Sequence, residues 1–303
     1  MIFQAKGLTK RYGTAFALQD ISMTISAGDI YGFIGENGAG KTTLMKIIAG
    51  LIRQTAGEIA LFGKSGKSEL NIARRQLGFL IESPAFYPNM TARENLLFYC
   101  RVLGIKDKDS RVKDVLKAVS LSDEDSKITS NYSLGMRQRL GIAIALLNEP
   151  EFLVLDEPIN GLDPSGIVEI REILEKLALE KKVTILISSH ILSELQLLAT
   201  KFGFIHQGRL IKEITADELS KSAKTQICLK TPNSPQIIEI LKKDLQIENV
   251  AVKESGEIEF PRAGVDIEKL MSVLLEKGAK IEGFYLSTPN LESYYMDLIG
   301  GNS

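Results

Sequence analysis

Tryptophan is absent from this 303-residue chain, and cysteine and histidine occur twice each. Cys100 and Cys228 lie far apart with no metal-ligand spacing. That argues against a disulfide framework and fits a reducing, intracellular compartment. No apolar run approaches the ~20 residues needed to span a bilayer. Gly141 to Leu147 is among the longest. The start, MIFQAKGLTKRYG, has no long apolar core after a basic end, so no signal peptide is expected. Charge of one sign is also missing. A net charge of −1 gives no global field for nucleic acid or anionic lipid, and no nucleic-acid partner is expected. Hydrophobic residues at 44% and charged residues at 25% are ordinary for a soluble globular protein. Any membrane role must therefore come through a partner.

What the chain does carry is Gly35-Glu36-Asn37-Gly38-Ala39-Gly40-Lys41-Thr42, a G-x-x-x-x-G-K-T stretch. It follows an apolar run, Ile30 to Ile34, and opens a helical pattern that begins at Thr43. A phosphate-binding loop needs that strand–loop–helix setting. The glycines let several backbone N–H groups converge on one anion, and the helix adds its partial positive end. Lys41 can reach the terminal phosphates and the Thr42 hydroxyl can hold Mg²⁺. A nucleoside triphosphate is the expected ligand, bound along Gly35 to Thr43.

The chain divides at roughly residue 220. Up to there, strand-like and helical runs alternate, as in an α/β domain with a largely parallel core sheet. The runs Phe152–Leu155 and Val183–Ile187 read as buried parallel strands that end in polar residues, where such sheets bind ligands. The first 30 residues instead suggest antiparallel strands and a hairpin. Residues 85–150 carry helical periodicity and form an expected helical insertion. Ser220-Lys221-Ser222-Ala223-Lys224-Thr225 reads as a linker. Residues 221–303 follow as a small α+β unit whose strand–helix–strand–strand–helix–strand order resembles a ferredoxin-like fold.

Phe152-Leu153-Val154-Leu155-Asp156-Glu157-Pro158 is an apolar strand ending in two acids. Asp156 is suited to holding Mg²⁺ opposite Thr42. Glu157, expected to point elsewhere because side chains alternate along a strand, can polarise the water that attacks the γ-phosphate. Between these motifs stands Tyr132-Ser133-Leu134-Gly135-Met136-Arg137-Gln138-Arg139-Leu140. With it the chain, over about residues 1–220, resembles the nucleotide-binding subunit of ATP-binding cassette (ABC) transporters, whose signature is L-S-G-G-Q followed by x-Q-R. Ser133, Gly135, Gln138 and Arg139 are kept; Tyr132, Leu134 and Met136 depart. Ser133 can cap the helix that follows, and that helix end with the Gly135 amide makes an anion site.

The resemblance implies more. Asn160-Gly161-Leu162-Asp163 matches the loop that links the two sites of a dimer, His190 the histidine that contacts the γ-phosphate, and Tyr12 the aromatic that stacks on adenine. The position that usually carries a metal-touching glutamine holds Glu82, expected here as a metal ligand with Thr42 and Asp156. The pattern Ile81-Glu82-x-Pro84-x-x-Tyr87-Pro88-Asn89-x-Thr91-Ala92-x-Glu94-Asn95-Leu96 is similar to the bacitracin- and lantibiotic-immunity branch. That branch implies ATP and Mg²⁺ as cofactors, a multi-spanning membrane permease as partner, and a second ATP-binding subunit, expected as a homodimer. It also implies a cytoplasmic location on the inner face of the membrane, and export or removal of a peptide antibiotic. A nucleotide-dependent regulator without transport is the alternative. The ending Pro289 to Ile299 is similar to the L-E-x-x-F-x-x-L tail of drug-exporter ATPases.

Overall fold

A computed structural model describes residues 1–121, 127–222, 225–253, 255–287 and 291–300. Ala223 and Lys224 of the expected linker, and Pro289 and Asn290 of the expected tail, lie outside the described residues. The chain forms two units, Met1–Ala216 and Asp217–Ser303.

The first unit begins with a hairpin, β1 (Phe3–Tyr12) and β2 (Ala15–Ile25), followed by β3 (Ile30–Ile34) and α1 (Lys41–Ala49). Next come β4 (Ala56–Leu61), α2 (Lys67–Ala73) and β5 (Leu77–Leu80), then three helices, α3 (Ala92–Leu103), α4 (Lys108–Ala118) and α5 (Leu134–Leu146). It continues through β6 (Phe152–Asp156), α6 (Pro164–Lys181), β7 (Thr184–Ser189), α7 (Leu192–Leu198), β8 (Lys201–His206) and β9 (Arg209–Thr215). The helix α8 (Ala216–Ser222) leads into the second unit. The expected boundary at 220 therefore falls within a helix, because Ala216-Asp217-Glu218 starts a helical turn that the polar composition of 220–225 concealed.

Two sheets share the first unit. The six-stranded sheet runs β5-β6-β7-β3-β8-β9, parallel except for the antiparallel edge pair β8–β9. Its inner strands are buried on both faces, so β3, β6 and β7 read as continuous apolar runs. The three-stranded antiparallel sheet, β2-β1-β4, contributes Phe3, Leu8, Leu18, Ile21 and Ile25 to a core that also takes in Leu44 and Ile48 of α1. A turn between β8 and β9 fastens it to the phosphate loop: Gly208 N–H donates to the Ala39 carbonyl (3.0 Å), and the Gly208 carbonyl accepts from Gln19 N–H (2.7 Å).

The helical layer is set by its caps. Thr91 and Glu94 form a reciprocal capping box at the start of α3, and the Ser133 hydroxyl accepts from Met136 N–H at the start of α5 (3.2 Å). Buried Asn95 gathers the preceding loop: its amide donates to the carbonyls of Tyr87 (3.1 Å) and Thr91 (3.0 Å) and accepts from Tyr87 N–H (2.7 Å). The helix α5 lies against β5 so closely that a Cβ on Gly78 would come within 2.3 Å of the Ala145 carbonyl oxygen.

The second unit comprises β10 (Gln226–Lys230), α9 (Ser234–Lys243), β11 (Ala251–Val252), β12 (Ile258–Pro261), α10 (Ile267–Glu276), β13 (Gly283–Ser287) and α11 (Leu291–Gly300). Its sheet runs β11-β12-β10-β13, antiparallel throughout, with its own core of Ile227, Leu229, Ile237, Leu241, Phe260 and Leu270. That strand order is the split βαβ arrangement of ferredoxin-like folds.

Gly78→Ala should lower the unfolding free energy by about 1–3 kcal/mol, because the clash is with main chain that has no rotamer to give. Urea denaturation measures this, and native stability in the variant would show that α5 is not seated by that close approach.

Candidate functional site

The carboxyl ends of β3, β6 and β7, neighbours in the central sheet, deliver the reactive groups to one place. The loop after β3 depends on glycine at two close approaches. A Cβ on Gly35 would meet the Ile205 carbonyl at 2.4 Å, and one on Gly40, whose φ is +113°, would meet the Ala17 carbonyl at 2.5 Å. With that space kept clear, Glu36, Asn37, Gly38, Gly40, Lys41, Thr42, Thr43 and Glu157 line a cavity of about 170 Å³ at the N-terminus of α1. A larger cleft of about 490 Å³ lies between α4 and α6, but Arg111, Glu169, Glu172 and Lys176 there carry mixed charge and no amide nest.

Lys41 is 6% exposed. Its ammonium donates to the carbonyls of Gly35 (2.6 Å) and Glu36 (3.2 Å) and stands 3.3 Å from Glu157 Oε1, an ion-pair distance. The Thr42 hydroxyl donates to Asp156 Oδ2 (2.7 Å). Two hard oxygens so placed, with few other protein ligands, suit Mg²⁺, which keeps most of its shell for water and phosphate. Among the described residues no cluster of three or more His, Cys, Asp or Glu could hold a metal by itself.

Glu157 does point away from Asp156, but for a different reason than strand alternation. It stands beyond the strand end with φ +50°, a left-handed backbone uncommon for a non-glycine residue. Its Oε2 lies 2.7 Å from His190 Nδ1. A carboxylate can only accept, which places the ring proton on Nδ1. Buried Ser188 joins this cluster without having been singled out from the sequence. Its hydroxyl donates to Asp156 Oδ1 (2.7 Å) and accepts from Glu157 N–H (2.9 Å). The available sequence signal was a polar Ser188-Ser189-His190 ending on an otherwise apolar strand.

The remaining expected residues stand apart from the cavity lining. Tyr12, at the end of β1, is 52% exposed with the Lys10 ammonium 4.8 Å from its ring centre. Ser133 caps α5, and a Cβ on Gly135 would meet Leu162 at 3.9 Å. Leu134 packs its own side chain beside Gly161, at 3.3 Å from where a Cβ there would sit. Glu82, expected as a metal ligand, is turned instead to the Lys46 ammonium (2.5 Å). Its backbone is left-handed (φ +64°), and it holds the Lys46 ammonium above the ordinary lysine range by hydrogen bonding.

The family model described as ABC transporter matches residues 18–160. The chain is 40% identical to the bacitracin transport ATP-binding protein BcrA of Bacillus licheniformis over 302 residues, covering 100% of this chain and 98% of the relative. It is 44% identical to the lantibiotic transport ATP-binding protein SrtF of Streptococcus pyogenes over 213 residues, which is 70% of this chain and 90% of that protein. A dimeric ATP-binding cassette in a post-hydrolysis state bound to ADP and Pi superposes with a TM-score of 0.64 at 25% identity, over 71% of this chain and 99% of that one. The phosphate loop, the paired acids and the matches together make the chain a member of the ABC transporter family of ATP-binding proteins.

Proposed function

We propose that the chain hydrolyses MgATP as one half of a two-subunit ATPase. In this reading it powers export or removal of a bacitracin- or lantibiotic-like peptide through a separate membrane permease. The observation that carries the reading is Glu157, held between Lys41 and His190 at the rim of the phosphate cavity. Full-length similarity to a bacitracin transport ATP-binding protein supports the cargo class.

The chemistry follows from the resting contacts. Lys41 is satisfied by two loop carbonyls and by Glu157; a γ-phosphate entering the cavity competes for that ammonium and withdraws it from the carboxylate. The base thus gains its freedom when substrate is present. His190 keeps one carboxylate oxygen in place, so the other is available to take a proton from water. Bound between Thr42 and Asp156, Mg²⁺ would neutralise charge on the β- and γ-phosphate oxygens. No covalent intermediate is needed, since positioning and charge neutralisation carry most of the acceleration. Ser133 and Gly135, at the exposed start of α5, are offered to the nucleotide of a second subunit. Closure of the two subunits excludes water and completes each site.

No helix among the described residues is long and apolar enough to cross a membrane. In the same reading the permease docks at an apolar groove of about 320 Å³ lined by Leu51, Phe79, Ile81, Pro84, Tyr99 and Ile144. It adjoins Glu82, which gives the membrane partner a route to the nucleotide site. Location at the inner face of the membrane follows from that docking. The second unit, included in the full-length match to BcrA, is read as an accessory domain.

Thr42→Ala should weaken nucleotide binding by about 5- to 150-fold, the equivalent of losing a 1–3 kcal/mol polar contact, and only when Mg²⁺ is present. Equal loss in the presence of a chelator would remove Thr42 from the metal. Glu157→Gln should keep ATP binding while steady-state turnover falls about 10²- to 10⁴-fold, the worth of a general base. Native turnover no faster than the variant's would sink the enzyme reading. Tagged Glu157→Gln protein, purified with MgATP from solubilised membranes, should bring down a multi-spanning membrane protein. Recovery of soluble partners alone would favour the regulatory alternative.

A further inference from the structure

Ser188 is the penultimate residue of buried strand β7, and no solvent reaches its side chain. A serine hydroxyl has one proton to give and lone pairs to receive, and here both capacities are used, on the last residue of β6 and on the residue that follows it. The proton goes to Asp156 Oδ1 at 2.7 Å, and Glu157 N–H donates to the same oxygen at 2.9 Å. Asp156 and Ser188 are register partners on the parallel strands β6 and β7, so their side chains rise from the same face of the sheet. The pairing has two consequences. Asp156 is held in one rotamer, with Oδ1 spent on Ser188 and Oδ2 left to Thr42. The left-handed turn at Glu157, unfavourable for a residue with a side chain, has its N–H satisfied at the point of strain.

We propose that Ser188 is a positioning residue that ties the metal-side acid to the general base through one hydroxyl. Asp156 and Glu157 are adjacent in sequence yet meet different partners, Thr42 and Ser188 for the one, Lys41 and His190 for the other. The backbone reversal between them is what separates their directions, and Ser188 bonds both ends of it. Ser189, also buried, performs a related task one residue later: its hydroxyl accepts from Ile191 N–H at 2.9 Å and shapes the turn that presents His190. Through these two serines the end of β7 sets Asp156, Glu157 and His190 together.

The proposal rests on the ATPase reading, and its test separates the two. Ser188→Ala, Ser188→Thr and Ser188→Val are compared with the native chain. Threonine keeps the hydroxyl; valine matches threonine in shape and lacks it. The valine–threonine pair therefore decides the matter even where alanine fails to fold. In Ser188→Ala and Ser188→Val, kcat should fall about 10²-fold, as for a ~1 Å misplacement of a reacting group, with KM for ATP within about threefold of native. Ser188→Thr should recover most of the loss. Titration with Mn²⁺ and a non-hydrolysable ATP analogue, followed by electron paramagnetic resonance, reads Asp156 without turnover. Mn²⁺ affinity should drop about 10-fold or more without the hydroxyl, the usual cost of removing a ligand's own partner, and return with threonine. Native-like kcat and Mn²⁺ affinity in the valine variant would overturn the proposal, as would equal defects in valine and threonine. Native turnover no faster than that of Glu157→Gln would instead overturn the ATPase reading, leaving the Mn²⁺ arm to decide Ser188.

Discussion

A nearly buried ammonium governs the architecture of the nucleotide site. Lys41 is 6% exposed and Asp156 is 4% exposed, and charges withdrawn from water this far must find opposite charge or hydrogen bonds nearby. The parallel sheet meets that demand because β3, β6 and β7 end side by side. One strand end supplies the cation, the next supplies two acids, and the third supplies a serine and a histidine. The loop carbonyls of Gly35 and Glu36 complete the cation's shell. The phosphate loop is thus no empty socket, since its cation already has partners within the protein.

Much of this site was legible in the amino-acid sequence because its key segments are local. The glycine-rich loop, the acids that end β6 and the apolar runs before them each declare themselves within eight residues. The hairpin of β1 and β2 and the helix Ile267–Glu276 were readable for the same reason. What escaped reading depends on register or on backbone conformation. Ser188 matters only because β7 aligns it beside Asp156, and strand neighbours separated by 32 residues leave no local trace. The direction of Glu157 comes from a left-handed turn, not from strand alternation. The contact between Lys46 and Glu82 spans 36 residues and likewise leaves no local signature.

Three residues of the branch-like pattern after Glu82 turn out to be structural. Thr91 and Glu94 cap α3, while Asn95 draws the preceding loop down onto that helix. Their effect is to give the groove beside Tyr99 and Pro84 a fixed wall. The groove is thus held by a helix cap and by the hydrogen bonds of one buried asparagine. The exposed salt bridge at its edge, Lys46 to Glu82, adds little stability of its own, since solvent screens it.

The single residue Gly208 bonds to the phosphate loop with its amide and to β2 with its carbonyl. One peptide unit on either side of a glycine therefore welds the antiparallel sheet, with Tyr12 at the end of β1, to the loop that grips the triphosphate. Both bonds use main-chain atoms alone, so the seam between sheet and loop does not depend on any side chain keeping its rotamer.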